Sequence, residues 1–302
     1  MTVPGPVADE TKRVGPDRAP DRSSLEQSIA DRLGSAREAR WIVEHAGGDH
    51  DRALALTGRR AAGEPLQYVL GRWPFRTLEL TVDRRVLIPR PETEHVVEVA
   101  LAGLMPFADG RTPGRPDSGP VCVDLGTGSG AIALALAVEG GDRFPGLEVW
   151  ATDLSPEALT VARSNTTELG GRDADAASRV HLSEGPWFDA LPPDLVGQVD
   201  LVVSNPPYVA EDDYPGLDPE VRRWEPRRAL VAGLGSDGVG GMAAIESVVA
   251  GARRWLRPSG LLVVEIDPRQ AAASIGAARR AGFDDVRVER DLAGRLRVLV
   301  AR

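Results

Sequence analysis

A chain of 302 residues, 42% hydrophobic and 27% charged, can build one large α/β domain with a small accessory domain, but not two large ones. A formal net charge of -9 argues against a protein that holds nucleic acid mainly by neutralising phosphate, so no stable nucleic-acid binding is expected. No run of about 18 apolar residues offers a membrane span, and the lone Cys122 excludes an internal disulfide and a multi-cysteine zinc site.

Residues 1–22 carry Pro4, Gly5, Pro6, Gly15, Pro16 and Pro20 among charges. They are expected to be disordered and lack the apolar core of a secretory signal, which makes a cytoplasmic protein the default. Helical periodicity begins at Ser24, where Leu25, Ile29 and Leu33 share a face before Gly34. Two further helices follow, Ser35–Ala46 and Asp49–Ala62, so residues 23–63 read as a small helical domain. Gly63-Glu64-Pro65 breaks the pattern. Leu66–Leu70 and Phe75–Val82 are β-rich and separated by Gly71, Trp73 and Pro74, which predicts a β-hairpin linker over 64–90, with Val86–Ile88 as a third short strand. From residue 91 to 302 a helix over Glu92–Leu104 and a Gly/Pro/Asp-rich loop lead into alternating elements. Strands are expected at Val121–Leu125, Leu147–Thr152, Val180–Ser183, Val199–Ser204, Leu261–Ile266, Val286–Arg290 and Leu296–Ala301. The helices among them are Ala131–Glu139, Pro156–Leu169, Gly240–Leu256 and Pro268–Ala281. This is the pattern of an α/β, doubly wound, mostly parallel sheet, closed by two consecutive strands with an antiparallel finish.

Asp124-Leu125-Gly126-Thr127-Gly128-Ser129-Gly130 follows the first of these strands and opens a helix. Such a loop lets a ligand approach the backbone at the carboxyl edge of the sheet. Asp153, at the end of the next strand, can accept hydrogen bonds from both ribose hydroxyls of an adenosine. These two features leave the cofactor open, because Gly126-x-Gly128-x-x-Ala131 also satisfies a dinucleotide fingerprint.

Ser204-Asn205-Pro206-Pro207-Tyr208 follows the fourth strand and decides the question. An amide nitrogen is a poor nucleophile, and to attack a methyl sulfonium it must be held in line with its N–H groups drawn to acceptors. The Asn205 side-chain oxygen is one acceptor and the Pro206 carbonyl a second, on a turn stiffened by two prolines. Tyr208 offers a flat face to a planar amide or base. A nicotinamide enzyme has no use for this tetrapeptide there, so the cofactor is expected to be S-adenosylmethionine.

With these motifs in place, the sequence resembles the protein-(glutamine-N5) methyltransferases that modify peptide chain release factors, the PrmC/HemK family. The resemblance runs from about Ala36 to Arg302. Asn-Pro-Pro-Tyr alone is shared with methyltransferases of adenine and guanine amino groups. More discriminating are Gly63-Glu64-Pro65-Leu66-Gln67-Tyr68 and Leu87-Ile88-Pro89-Arg90-Pro91-Glu92-Thr93-Glu94. Trp224-Glu225-Pro226, Ala229-Leu230, Gly238, Glu265, Gln270, Gly282 and Asp291 to Arg297 also match. The resemblance implies a class I S-adenosylmethionine-dependent methyltransferase fold with a seven-stranded sheet, a helical domain that helps recognise the release factor, and a hairpin linker. It implies that Gly126, Thr127, Gly128, Ser129 and Gly130 hold the methionine part of the cofactor, Asp153 the ribose, and Trp187 the adenine edge, with Asn205 facing both cofactor and substrate. Asn205, Pro206, Pro207 and Tyr208 would clamp the glutamine of the Gly-Gly-Gln loop in class 1 release factors, with Asn205, Pro206 and Tyr208 as the catalytic group. Three departures stand out: Pro186 where an acidic residue is common, Asp267 where a glycine is usual, and a shorter helical domain.

The alternative is an amino-group methyltransferase acting on adenine or guanine, which would want a basic face or an insertion for a flipped base. His45, His50, His95 and His181 lack paired ligand spacing, so no metal is expected. Arg222, Arg223, Arg227 and Arg228 suit either an acidic partner surface or a solvated face, and Glu92 and Glu94 are read as ordering the substrate pocket. A monomer is expected.

Overall fold

The computed structural model describes residues 22–105 and 119–302. The segment expected to be disordered lies outside the described residues except for Arg22, as does most of the loop before the catalytic sheet. The chain divides into two compact units between Leu66 and Gln67. Among the described residues no helix is long and apolar enough to cross a membrane.

The first unit holds α1 (Arg22–Leu33), α2 (Ala36–Ala46) and α3 (His50–Ala61). Ser35 and Asp49 cap the starts of α2 and α3, their side chains accepting from Glu38 N and Arg52 N, as short polar residues do at helix starts. Leu25, Ile29, Ala39, Ile42, Val43, Ala53 and Leu56 are buried. The Arg60 guanidinium grips the Glu38 carboxylate through two contacts, 2.7 and 3.1 Å.

Leu66–Leu70, expected as a hairpin strand, is a one-turn helix, α4. A five-residue apolar run is ambiguous by periodicity, and the helical turn lets Tyr68 bury its ring among Val82, Val86 and Ile88. Its hydroxyl donates to the Val86 carbonyl at 2.5 Å. The hairpin itself is shorter, β1 (Arg72–Phe75) with β2 (Leu78–Thr81), antiparallel. Val86–Ile88 is not a strand; the Ile88 N–H donates to the Glu225 carboxylate at 3.1 Å rather than to a neighbouring strand.

The rest of the second unit comprises α5 (Pro91–Gly103), β3 (Val121–Leu125), α6 (Ala131–Gly141), β4 (Glu148–Asp153), α7 (Pro156–Gly170), α8 (Ala174–Ser178), β5 (Val180–Glu184), β6 (Val199–Ser204), β7 (Val209–Ala210), α9 (Pro219–Trp224), β8 (Val231–Ala232), α10 (Ala243–Trp255), β9 (Leu256–Glu265), α11 (Ala271–Arg280), β10 (Val286–Arg290) and β11 (Leu296–Ala301). Seven strands form one sheet in the order β10-β11-β9-β6-β3-β4-β5. All neighbours from β9 to β5 are parallel. The last strand, β11, inserts antiparallel between β9 and β10. The expected sheet and its antiparallel finish are both present.

β9 begins at Leu256, before Pro258 and Gly260, earlier than those residues suggested. Buried Asp200 on β6 accounts for part of this, accepting from Arg257 at 2.7 Å and from the Val121 N–H at 2.9 Å. α8, α9 and the two-residue pair β7–β8 had no counterpart in the sequence reading. Each face of the sheet carries its own core. Ile132, Leu134 and Leu136 of α6 pack with Val96, Val97 and Leu101 of α5 on one side. Ile245, Val248 and Val249 of α10 pack with Leu262 and Val264 on the other.

Two tethers hold the hairpin, one to the glycine loop and one to α5 and α6. Asn165 on α7 accepts from Thr81 N at 2.7 Å and donates to the Thr81 and Ser129 carbonyls at 3.1 and 2.8 Å. Arg76, at the hairpin tip with φ 52°, reaches Glu139 at 2.5 and 2.6 Å and the Glu94 carbonyl at 2.8 Å. In the sheet, Leu125, Asp153, Ser204 and Glu265 end four adjacent parallel strands on one edge, where doubly wound sheets bind ligands.

Candidate active site

The loop from Gly126 to Gly130 is built by positive-φ glycines and by hydrogen bonds to β4. Gly126, Gly128 and Gly130 have φ of 74°, 57° and 85°, a region that side chains rarely tolerate. Gly126 N and Thr127 N donate to the Thr152 carbonyl at 2.8 and 3.0 Å. Beneath the loop, Asp124 accepts from the Thr127 hydroxyl at 2.6 Å and from the Ala133 N–H at 3.2 Å. Burial pushes the Asp124 carboxyl up to about 7. Thr127 and Ser129 are buried and shape the loop from below.

A cleft of about 190 Å³ opens over this edge. Of the residues expected from sequence, Gly126, Gly128, Asp153, Trp187, Asn205 and Pro207 line it; Thr127, Ser129, Gly130, Pro206 and Tyr208 do not. Residues not assigned to the site from sequence complete the wall: Arg85, Val86 and Leu87 on one side, Leu154, Ser155 and Ala158 at the start of α7, and Pro186, Pro226, Arg228 and Ala229. Leu154 is 65% exposed although it is apolar. Its position directly after Asp153 is the one signal that could have flagged it.

Asp153 is the polar centre of this cleft. Its carboxylate accepts from Gly128 N at 2.9 Å and Ser155 N at 2.8 Å. Burial pushes its carboxyl above the ordinary range, while those donors and the Arg228 guanidinium pull it back. Trp187 holds a left-handed backbone, φ 46°, rare for a bulky residue. Its carbonyl accepts from the Thr152 hydroxyl at 2.9 Å. A side chain added at Gly126 would meet the Trp187 ring at 3.6 Å, so the ring lies against the glycine loop.

Asn205 stands one residue beyond β6. Its side-chain N–H donates to the Thr93 hydroxyl at 3.1 Å, Thr93 donates to Glu265 at 2.7 Å, and the Tyr208 hydroxyl donates to the other Glu265 oxygen at 3.2 Å. Thr93 and Glu265 are buried. Thr93 was quoted only within a motif, and the two glutamates beside it were read as the pocket-ordering groups. The structure turns those outward: Glu92 pairs with Arg295 at 2.7 Å and Glu94 accepts from Arg76 N at 3.1 Å. Successive side chains on a helix point about 100° apart, which lets Thr93 turn into the core between two partly exposed glutamates. The Tyr208 carbonyl accepts from Gln270 at 2.9 Å, and a side chain at Gly241 would sit 2.0 Å from that same carbonyl oxygen.

Two distant motifs meet beside the cleft. Arg90 and the Ile88 N–H both donate to buried Glu225. Burial pushes the Glu225 carboxyl up, and Arg90 opposes the rise. Of the four arginines noted in sequence, Arg228 lines the cleft, whereas Arg227 pairs with Glu211 and lies over the Tyr214 ring, and Arg222 donates to the Pro215 carbonyl at 2.7 Å.

Residues 115–215 match the family model described as "Methyltransferase small domain". The release factor glutamine methyltransferase of Cereibacter sphaeroides is 41% identical over 248 residues, covering 82% of this chain and 78% of that protein. That of Burkholderia pseudomallei is 40% identical over 298 residues, 97% and 95% of the two chains. That of Bifidobacterium longum is 40% identical over 249 residues. The chain belongs to the release factor glutamine methyltransferase family.

Membership in this family explains why the Asn205 turn and the glycine loop share one sheet edge, and the seven-stranded sheet is the class I S-adenosylmethionine-dependent methyltransferase fold. The site fits an adenosyl cofactor on its own evidence. The glycine loop presents backbone with no side chain in the way, Asp153 faces the same cleft, and an apolar side chain and an indole flank it. The departure at Asp267 also has a physical account. Asp267, at φ -73°, caps the short helix at Pro268–Gln270 by accepting from Arg269 N, and exchanges a reciprocal contact with Gln270. This cap holds Gln270, which donates to the Tyr208 carbonyl at 2.9 Å.

Proposed function

We propose that this protein transfers a methyl group from S-adenosylmethionine to the side-chain amide N5 of the glutamine in the Gly-Gly-Gln motif of class 1 peptide chain release factors, in the cytoplasm. The observation that carries the reading is the convergence of Asn205 and Pro207 with Gly126, Gly128 and Asp153 on one cleft, in a chain 40% identical over nearly its full length to a named release factor glutamine methyltransferase.

When bound, S-adenosylmethionine supplies an electrophilic sulfonium methyl. Gly126, Thr127, Gly128, Ser129 and Gly130 would hold its methionine end, Asp153 its ribose and Trp187 its adenine, and Asn205 would face both cofactor and substrate. The Asn205 side-chain oxygen and the Pro206 carbonyl accept the two N–H bonds of the glutamine amide and set its nitrogen in line with the methyl, while Pro207 and Tyr208 confine its plane. As nitrogen takes on positive charge, the two acceptors stabilise it. No strong base is needed, because the surplus proton is lost after transfer. The helical domain, residues 23–63, contributes to release factor recognition and is joined through the linker 64–90 to the methyltransferase domain 91–302. The Burkholderia pseudomallei relative matches over 97% of this chain, the helical segment included.

The test is label transfer from radiolabelled cofactor to a purified release factor, its Gln-substituted form, DNA and ribosomal RNA. Label on the native factor and none on the substituted one is the expected result. Label on a nucleic acid without label on the factor would overturn the substrate assignment.

A further inference from the structure

Outside the cleft, the most unusual feature of the second unit is a buried chain of hydroxyl and carboxylate groups that ends on Asn205. It has a definite direction. Glu265 ends β9 with 1% exposure; burial pushes its carboxyl up, while the Thr93 hydroxyl, Arg297 and the Tyr208 hydroxyl hold it down, and as a carboxylate it can only accept hydrogen bonds. Each of its oxygens has one hydroxyl donor, Thr93 at 2.7 Å and Tyr208 at 3.2 Å. A hydroxyl has a single proton, so the Thr93 proton is committed to Glu265 and only lone pairs remain for its other neighbour. That neighbour is Asn205, 3.1 Å away. Were the Asn205 amide turned over, its oxygen would face the lone pairs of Thr93 with no proton between them. The amide must therefore point its NH₂ at Thr93 and its oxygen away, toward the cleft.

We propose that Thr93 is a positioning residue for methyl transfer: with Glu265 it fixes which end of the Asn205 amide faces the substrate, so that the cleft presents an acceptor and not a donor to the reacting nitrogen. The inference rests on the function proposed above. It gives a reason for a threonine at this place in the Pro91-Glu92-Thr93-Glu94 turn. The residue must be small, must fit a buried site in the first turn of α5, and must accept from one neighbour while donating to another. The same carboxylate draws the Tyr208 hydroxyl proton inward, so the two ends of the Asn205–Tyr208 turn are anchored on one buried charge. Arg297 tempers that charge from below, with its guanidinium donating to the Ile266 carbonyl at 3.0 Å.

A structural role and an orienting role predict different kinetics. Thr93→Val keeps the branched shape and removes the hydroxyl, which frees the Asn205 amide to turn over. The kcat for release factor methylation should fall on the order of 10- to 100-fold, with KM and the cofactor Kd within about twofold of the parent. Thr93→Ser restores the hydroxyl, and kcat should return to within about threefold. Full kcat in the valine variant, equal loss in both variants, or a loss confined to KM or cofactor binding would overturn the proposal. If the parent protein itself transfers no methyl to release factor, the functional reading fails and the relay is decided separately. The Asn205 side-chain amide hydrogens, identified in an isotope-labelled sample by their disappearance in Asn205→Ser, should be protected from solvent exchange in the parent and in Thr93→Ser. They should lose that protection in Thr93→Val; equal protection in all three would refute the relay.

Discussion

Asn205 has two faces in this structure, one tied to the buried Thr93–Glu265 pair and one open to the cleft. Its removal should therefore spare cofactor binding and strike the chemical step. Asn205→Ala is expected to retain its cofactor Kd while the barrier to transfer rises by about 2 to 4 kcal/mol, the scale for losing one oriented polar contact in a transition state; single-turnover rates beside calorimetric binding measure both. Trp187 makes the opposite prediction. Its ring lies on the glycine loop and makes no hydrogen bond to the Thr93–Glu265 chain that holds Asn205, so Trp187→Ala should weaken cofactor binding by about 1 kcal/mol and change single-turnover chemistry at saturation little. A Trp187→Ala variant with unchanged cofactor Kd would remove that residue from the site.

At the scale of elements, the doubly wound sheet was legible because its central strands are apolar on both faces and its strands alternate with helices. β3 and β6 lie where Val121–Leu125 and Val199–Ser204 were read. Short segments failed for a physical reason. Leu66–Leu70 is five residues long, too few to separate a period of 3.6 from one of 2, and its helix is decided by Tyr68 reaching Val86, a contact that sequence spacing does not reveal. The site was legible where one local motif carries one role, as at Gly126–Gly130 and Asn205–Tyr208. It was not legible where partners are far apart in the chain. Thr93 meets residues at 205 and 265, and Glu225 closes on Arg90 and Ile88. This last junction yields a stability prediction. Glu225→Ala leaves the buried Ile88 N–H without its acceptor and Arg90 without its partner, for a loss of about 2 to 3 kcal/mol, discounted because Arg90 still reaches solvent. Glu225→Gln keeps an acceptor for Ile88 and should lose less. Chemical denaturation ranks the two, and equal losses would contradict this account of the junction.

For the whole molecule, the carboxyl beneath the cofactor loop ties stability to pH. The Asp124 carboxyl titrates near 7 in the folded protein, whereas in the unfolded chain it titrates near an ordinary value of about 4. Between those values the folded state holds a proton that the unfolded state has lost. The associated stability is fully present below about pH 4 and is lost as pH rises toward 7, by up to about 1.4 kcal/mol per pH unit. Denaturation of Asp124→Asn should show a flatter decline than the parent between about pH 5 and 7. Parallel curves would show that Asp124 ionises in place without cost.

The account as a whole depends on a sulfonium and a planar amide meeting over the carboxyl edge of β3 and β6. A crystal structure of the protein with S-adenosylmethionine and a glutamine peptide measures this directly. The account predicts the cofactor along Gly126–Gly130 and Asp153, the glutamine NH₂ between the Asn205 side-chain oxygen and the Pro206 carbonyl, and its nitrogen about 3 to 3.5 Å from the methyl carbon. A cofactor bound with its sulfur turned away from Asn205, or an Asn205 amide presenting its NH₂ to the peptide, would contradict it.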